Sequence, residues 1–186
     1  MVKVLFVDIT DYQYDATDFR GICEARVEYL NSINDQKRKT QSLLVWRLLN
    51  YGLINYFSLN NGCFSCDKGK WAEINGKIKF SLAHSNNIIA VAISNKTPVG
   101  VDVEMHSDKI LKLKDKLCKQ KEAEEELIET LTLTWTEKES SFKAGIKGSF
   151  NWISVKDKIN NKYCLTLCSQ EKDVNFIKIK LKDIID

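Results

Sequence analysis

Apolar and polar residues alternate in several short segments of the first half of the chain, which is the pattern of half-buried strands. Strands are predicted at 1–9, 88–94 and 99–104. Apolar residues at three- to five-residue intervals predict a helix over about 17–33. A second helix is predicted from an Asp35 cap to Gly52, because glycine is common just beyond a helix C-terminus.

Residues 71–82 contain the strongest turn signal in the sequence. Asn75-Gly76 separates two short runs, and this dipeptide is typical of a two-residue β-hairpin turn. We therefore predict a hairpin between strands at 71–74 and 77–82. The preceding residues 60–70 are predicted to form a loop.

The second half begins with a long, charged, amphipathic stretch without proline at 107–148. This stretch predicts one or two helices that end near Gly145 or Gly148. An apolar stripe within it is expected to face the core, and its members are Leu131, Trp135, Phe142 and Ile146. Strands are then predicted at 151–155, 162–168 and 174–181.

These elements predict an α+β fold in which a strand–helices–strand–strand unit occurs twice. We expect a pseudo-twofold duplication with two antiparallel sheets, each packed on helices. The predicted N-terminal lobe covers 1–96 and the C-terminal lobe 97–186, within one compact domain. The halves show no residue-level similarity, so the repeat is an expectation about topology.

Composition excludes several classes of protein. The 186 residues are 44% apolar, enough for one domain with a core. No run approaches the ~20 apolar residues of a membrane-spanning helix, and the N-terminus lacks the pattern of a secretory signal. The net charge of +3 is too small to indicate nucleic-acid binding, but it suits an acidic partner.

Six cysteines without a secretory signal favour reduced thiols and a cytoplasmic location. Cys63 and Cys66 have the spacing of half a zinc site. The other half is missing, because Cys164 and Cys168 share one face of a predicted strand. Ordinary thiols are the favoured interpretation, and structural zinc is the alternative.

The segment GVDVE at 100–104 places two carboxylates on one strand face. Asp102 and Glu104 point to the same side, ~7 Å apart along the strand, while Val101 and Val103 point to the opposite layer. Such a pair can bind a hard divalent cation. Taken alone, however, it is more often an ordinary exposed face.

Three further residues are candidates for chemistry. Glu139 and Lys143 are four residues apart beside the apolar stripe, which indicates either a charged cleft or a surface pair that stabilises the helix. His84 ends a predicted strand before two asparagines, where histidine ordinarily serves a turn. None of these features decides a function by itself.

The order of the motifs is more informative than any one of them. FSLAHS at 80–85, AVAIS at 90–94, PVGVDVE at 98–104 and WTEKESSFKAG at 135–145 resemble the 4′-phosphopantetheinyl transferase superfamily, which modifies carrier proteins. The similarity covers about half of the chain, from Lys70 to Gly145. It implies a two-lobed pseudo-repeat, and the chain length resembles the monomeric, surfactin-synthetase-activating branch.

The resemblance assigns roles to the charged residues. In the family, the acids that match Asp102, Glu104 and Glu139 hold Mg²⁺ at the pyrophosphate of coenzyme A. Lys143 matches the lysine that contacts phosphate. Glu139 is also expected to take the proton from the acceptor serine. Glu139 and Lys143 are therefore the expected catalytic residues.

Further residues are implied to bind coenzyme A. His84 matches the contact to the 3′-phosphate, Lys70 the lysine of a Lys-Pro pair, and Arg38 an arginine that meets the adenosine phosphate. Two positions depart from the family pattern. Trp71 replaces the usual proline, and Ala83 replaces the first serine of Ser-His-Ser, so one possible phosphate contact is lost.

The chemistry of the residues agrees with this resemblance. Three converging carboxylates would repel one another, and all-oxygen ligation favours Mg²⁺, or Mn²⁺, over zinc. We expect the metal to bridge the two phosphates of coenzyme A while a carrier-protein serine attacks the β-phosphorus and adenosine 3′,5′-bisphosphate leaves. The expected class is a magnesium-dependent transferase of fatty-acid, polyketide or nonribosomal-peptide biosynthesis.

The expected partners are coenzyme A and an acidic acyl or peptidyl carrier protein. A basic run is either the docking surface for this carrier or a solvated helix face; its members are Lys109, Lys112, Lys114, Lys116, Lys119 and Lys121. Two other functions remain open at this point. One is a magnesium-dependent hydrolase of coenzyme A or nucleotide pyrophosphates, and the other is a non-catalytic module that binds coenzyme A.

Overall fold

The computed structural model describes residues 1–12, 18–60, 64–67, 70–117, 124–145, 150–155, 159 and 161–185. Its strands are β1 (Val2–Asp8), β2 (Phe64–Asp67), β3 (Lys70–Glu73), β4 (Lys79–Ser85), β5 (Ile88–Ser94), β6 (Val99–Met105), β7 (Asn151–Val155), β8 (Tyr163–Ser169) and β9 (Val174–Lys178). Its α-helices are α1 (Glu24–Asn31), α2 (Gln36–Phe57), α3 (Lys114–Leu117), α4 (Glu124–Ala144) and α5 (Lys182–Ile185), and a 3₁₀ helix spans Asp108–Leu113.

The strands form two main sheets and one small ribbon. The first sheet has the order β4-β5-β1-β9 and packs on α2, and the second has the order β6-β8-β7 and packs on α4. β2 and β3 form the separate ribbon. The predicted α+β class, with antiparallel sheets packed on helices, is therefore confirmed, although β9 joins β1 in a parallel pairing.

The topology of the two halves is compatible with the predicted duplication. The strand order β4-β5-β1 recurs as β7-β8-β6, and in both halves the helices lie between the first and second strands of the unit. The chain end does not follow this plan. β9 pairs with β1 and α5 contacts α2, so both lie with the first sheet, although the predicted boundary assigns them to the C-terminal lobe.

Two apolar cores fix these layers. The first lies between the first sheet and α2 and includes Leu5, Leu44 and Ile93. The second lies between the sheets, where Val4 and Ala90 pack with residues such as Val101. Alternation along a strand then places polar side chains of β6 on the other side, toward α4.

The second predicted helix begins as expected but ends later. Asp35 is its N-cap and accepts a hydrogen bond from Arg38 N–H at 2.6 Å. Gly52 does not end the helix; it allows close packing, because a Cβ at this position would lie 2.5 Å from Ile93 Cδ1. The helix ends where Ser58 adopts a left-handed conformation. The first helix is shorter than predicted and starts at Glu24.

The predicted hairpin is wrong in its pairing, although its turn forms. Gly76 has φ +67° and donates its N–H to Glu73 O, but β3 pairs with β2, while β4 pairs with β5. The cause is Glu73, whose buried carboxylate accepts backbone N–H groups of Asn75, Lys77 and Ile78. β2 also corrects the prediction of a continuous loop over 60–70.

The remaining sequence predictions have mixed outcomes. The charged stretch forms the 3₁₀ helix and two α-helices, and α4 ends before Gly145, which has φ +60°. The last strand is shorter than predicted, because the chain turns after Lys178 into α5. No helix in the described part of the chain is long and apolar enough to cross a lipid bilayer.

Cysteines in the described residues carry free thiols: Cys23, Cys66, Cys164 and Cys168. Cys164 and Cys168 are buried in β8, as their alternation predicts. Cys63 lies outside the described residues, so the zinc hypothesis for Cys63 and Cys66 stays a prediction.

Candidate active site at the seam between the sheets

β4 and β6 run side by side at the edge where the two sheets meet, and two serines of β4 join them. Ser81 Oγ accepts the N–H of Val101 at 3.0 Å, and Ser85 Oγ accepts the N–H of Met105 at 3.2 Å. We call this edge the seam. It brings the histidine at the end of β4 and the acids of β6 to one place.

Asp102 and Lys143 form the centre of the site. Lys143 Nζ lies 2.7 Å from Asp102 Oδ1 and also donates to the carbonyl oxygens of Val101 and Leu82. An ammonium group has three N–H donors, so these three acceptors can use all of them. The Asp102 side chain is only 8% exposed, whereas that of Lys143 is 29% exposed. The pair therefore has a buried acidic side and an accessible basic side.

The close approach of β6 and α4 makes this ion pair possible. Gly100 lies against the helix backbone, where a Cβ atom would lie 1.9 Å from Ser140 O and 2.6 Å from Ala144 N. Any side chain at this position would push the strand and the helix apart. Glycine at position 100 thus allows Asp102 to reach Lys143.

Electrostatics couple the three predicted acids. Burial raises the pKa of Asp102 to about 6, despite the opposing effect of Lys143, and Glu104 and Glu139 raise it further. Burial also raises the pKa of Glu104, although Ser85 donates a hydrogen bond to its Oε2 at 2.8 Å. Since Glu139 raises both pKa values, it acts on the other two acids through space. The strand and the helix thus bring the charges of the three acids within interaction range.

His84 lies among cations rather than beside an acid. Burial lowers its pKa to about 4, and the positive charges of Lys143, Arg38 and Arg26 lower it further. The ring is therefore neutral at pH 7. Arg38, in the first turn of α2, is exposed. The arrangement creates a region of positive potential at one end of the site, and an anion would be favoured there.

Arg26 is a member of this region that the sequence analysis missed. It is 3% exposed, its Nε has no hydrogen-bond partner, and its guanidinium carbon lies 4.6 Å from the ring centroid of Trp46 and 5.1 Å from that of Trp71. Its terminal nitrogen donates to Ser42. Helical spacing to the buried Leu30, four residues later, is the signal that marks Arg26 as inward-facing.

Trp71 and Ala83, at which the sequence departs from the motifs it resembles, both have packing roles. The rings of Trp71 and Trp46 have centroids 4.9 Å apart, so Trp71 helps to hold the β2–β3 ribbon on α2. Ala83 is 4% exposed and belongs to the core between the sheets. Lys70, on the same ribbon as Trp71, is exposed and lies 5.4 Å from the Phe142 ring centroid.

The side chains at the site have the chemistry that a divalent cation requires, but they do not form a complete ligand set. Asp102 Oδ2 is buried without a hydrogen-bond partner, and the neighbouring donors are carboxylates, the ligands that Mg²⁺ prefers. Within the described ranges, however, no three His, Cys, Asp or Glu side chains are grouped closely enough to hold a metal. Asp102 instead faces Lys143.

One prediction about α4 is wrong. Leu131 is fully buried, but Phe142 is 71% exposed and does not continue the apolar stripe into the core. Helix α4 ends close to the seam, and Phe142 lies on its outer side. Ile146 lies outside the described residues.

Two other regions consist of residues outside the predicted site. A cavity of about 800 Å³ between α2, α5 and residues 20–23 is lined by groups such as Arg47 and Tyr51, and by none of the predicted site residues. In the basic run, Lys109, Lys112 and Lys116 are exposed. Lys119 and Lys121 lie outside the described residues.

Comparison with known proteins adds no assignment: no protein-family model matches the sequence, and no curated protein matches it.

Proposed function

We propose that the protein transfers the 4′-phosphopantetheine group of coenzyme A to a serine of an acyl or peptidyl carrier protein. The observation that carries this proposal is the seam, where Asp102, with an unpartnered carboxylate oxygen, lies within electrostatic range of Glu104 and Glu139 and adjoins a cationic region. Carboxylates can hold a divalent cation that neutralises the diphosphate of coenzyme A, and the cationic region can bind its further phosphate. In the reaction, the serine oxygen bonds to the β-phosphorus, the bond to the bridging oxygen breaks, and adenosine 3′,5′-bisphosphate leaves.

In this proposal Asp102 and Glu104 hold Mg²⁺, or Mn²⁺, and Glu139 completes the acidic side. The ion would supply neutralisation of the diphosphate and polarisation of the phosphorus. Mg²⁺ is commonly held by only one or two carboxylates, with substrate phosphates and water at its other positions. A full group of three protein ligands is therefore not required before coenzyme A binds.

The protein side chains have distinct roles in the proposal. Lys143 exchanges at least one of its three acceptors for a phosphate oxygen, because all three of its donors can be used in the free protein. Neutral His84 donates a hydrogen bond to the 3′-phosphate, while Arg38 and Lys70 supply positive charge around it. Glu139 accepts the serine proton, directly or through water.

The test is intact-protein mass spectrometry of a panel of apo carrier proteins incubated with coenzyme A and Mg²⁺. We expect one carrier to gain a single phosphopantetheinyl group on serine. Asp102→Asn and Glu139→Gln are each expected to lower turnover by about 10²–10³, the effect of removing one electrostatic group from an active site. Glu126→Gln, an exposed acid on the same helix, is the matched control.

Other outcomes contradict the proposal in different ways. Release of adenosine bisphosphate without a carrier identifies a hydrolase. Binding of coenzyme A without turnover on any carrier identifies a binding module. Folded Asp102 and Glu139 variants with full transferase activity would show that these residues have been given the wrong roles.

A further inference from the structure

A row of polar side chains crosses the face of the second sheet that packs on α4. Asp102 of β6 is paired directly with Thr166 of β8, and Thr166 is paired directly with Ser154 of β7. Side chains of directly paired residues lie on the same face of a sheet. Thr136 of α4 meets this row, because its Oγ1 lies 2.8 Å from Oγ1 of Thr166. Both threonines are fully buried, so this bond joins the helix to the sheet out of contact with solvent.

The hydrogen bonds of this row have a fixed direction. A hydroxyl group has one proton to donate. Thr136 donates its proton to Leu133 O at 3.0 Å. Thr166 therefore donates to Thr136, and Ser154, whose Oγ lies 2.9 Å from Oγ1 of Thr166, donates to Thr166. The bond between helix and sheet thus depends on the hydroxyls of Thr136 and Thr166 and does not require that of Ser154.

This bond joins the parts of the chain that carry the acids. Thr136 precedes Glu139 by three residues, and residues three apart lie on the same side of a helix, about one turn from each other. Thr166 stands directly opposite Asp102. The absence of a side chain at Gly100 allows α4 to approach β6 closely, and a hydrogen bond, because it is directional, also restrains how the helix is placed along the sheet. The position of Glu139 relative to Asp102 therefore depends on this bond.

We propose that Thr136 and Thr166 are positioning residues, whose hydrogen bond holds Glu139 where it can act together with Asp102 on one divalent cation. This inference rests on the proposed transferase function. Neither threonine is expected to touch coenzyme A or the carrier, because both side chains are buried between α4 and the sheet. Valine in either place would keep the branched shape and lose the bond. The loss should be observed as a weaker metal site and slower transfer.

The test measures two quantities. One is kcat with a carrier that the wild-type protein modifies, and the other is the Kd of Mn²⁺ for the complex with coenzyme A, measured without carrier by electron paramagnetic resonance. Thr136→Val and Thr166→Val are each expected to lower kcat and to raise the Kd of Mn²⁺ about tenfold, the lower end of the effect of removing a residue that orients a metal ligand. The double variant should lose no more than either single variant, because all three lack the same bond.

Conservative and control variants distinguish positioning from general packing. Thr166→Ser keeps a hydroxyl and should restore both quantities to near the wild-type values. Thr132→Val is the matched control, because Thr132 is a buried threonine of the same helix whose hydroxyl donates to Ile128 O within the helix. Both of its quantities should stay at the wild-type values. Thermal unfolding checks the fold, and Thr136→Ala, which removes the same bond and favours a helix, replaces a valine variant that does not fold.

The outcomes separate the two proposals. If the wild-type protein modifies a carrier but the valine variants keep both quantities at the wild-type values, the positioning inference is wrong and the transferase function stands. Equal losses in Thr132→Val would also overturn the inference, because buried packing alone would then explain them. If no carrier is modified, the transferase function fails, and the Kd of Mn²⁺ alone decides whether the threonines position the acids. Failure of the wild-type complex to bind Mn²⁺ would overturn both proposals.

Discussion

His84 and Asp102 have opposite protonation preferences although they lie on neighbouring strands. The neutral form of His84 is favoured because the ring is partly buried among three cations. The neutral form of Asp102 is also favoured, because burial and two neighbouring acids outweigh Lys143. One residue therefore resists gaining a proton and the other resists losing one. Their effects on stability must have opposite signs over the same pH range.

We predict this opposition in the pH dependence of unfolding without divalent ions. The pKa of His84 is lowered from 6.5 to about 4. Its contribution to the free energy of unfolding is therefore present above pH 6.5 and is lost as the pH falls to 4. The pKa of Asp102 is raised from 3.8 to about 6. Its contribution to the free energy of unfolding is therefore present below pH 3.8 and is lost as the pH rises to 6. Each amounts to on the order of 3 kcal/mol.

Urea unfolding of the wild type, His84→Gln and Asp102→Asn between pH 4 and 7 measures these effects. The stability of wild type relative to His84→Gln should increase with pH, and that relative to Asp102→Asn should decrease. Lys109→Gln, an exposed substitution away from the site, should give a constant difference. Parallel curves for all four proteins would contradict the assigned protonation states.

The sequence identifies some of these residues more easily than others. Alternation in GVDVE separates Asp102 from Val101 and Val103, and the structure confirms that the valines are buried in the core. Arg26 escapes this reasoning, since a lone arginine in a helix is ordinarily exposed. Its burial depends on Trp46 and Trp71, which come from distant parts of the chain.

At the scale of elements, the contact between β6 and α4 depends on Gly100. We predict that Gly100→Ala lowers the free energy of unfolding by about 3 kcal/mol, the upper part of the range for overpacking, because the obstructing atoms are helix backbone. The same shift moves Lys143 away from Asp102 and so should reduce any activity at the site. Denaturant unfolding measures the first effect.

Gly52→Ala is the control for this prediction. A Cβ at position 52 also meets close neighbours, but these are the ends of the Ile93 and Leu5 side chains, which can rotate. Alanine additionally favours the helix by about 1 kcal/mol relative to glycine. Equal losses for the two variants would mean that the helix backbone at Ser140 yields as easily as side chains do.

The pairing of strands is harder to predict from the sequence than the strands and helices themselves. The Asn75-Gly76 turn forms, yet its flanking strands pair elsewhere, because Glu73 takes the backbone donors beside the turn. Phe142 shows the same difficulty on a helix. Periodicity places it near an apolar stripe, but the position of α4 on the second sheet decides that its ring is exposed.

For the whole molecule, the seam matters because it joins parts of the chain that fold into separate sheets. The two sheets share an apolar core, and directional contacts between β4 and β6 add to it in setting the register of these strands. The hydroxyls of Ser81 and Ser85 set that register through the backbone of β6. No local pattern in the sequence predicts these contacts, since both serines look like ordinary strand residues.

We predict that Ser81→Ala weakens coenzyme A binding although Ser81 is not proposed to touch the ligand. The substitution leaves the buried N–H of Val101 without its acceptor, at a cost of about 1–3 kcal/mol in stability. It also frees β4, with His84, to shift against β6, with Asp102, so we expect the calorimetric Kd for coenzyme A with Mg²⁺ to rise several-fold.

Ser154→Ala removes a hydroxyl contact within the second sheet alone and should leave that Kd unchanged. If Ser81→Ala loses stability but binds coenzyme A as tightly as Ser154→Ala does, the two sheets hold their ligand groups independently, and the seam is a structural joint rather than the frame of the site.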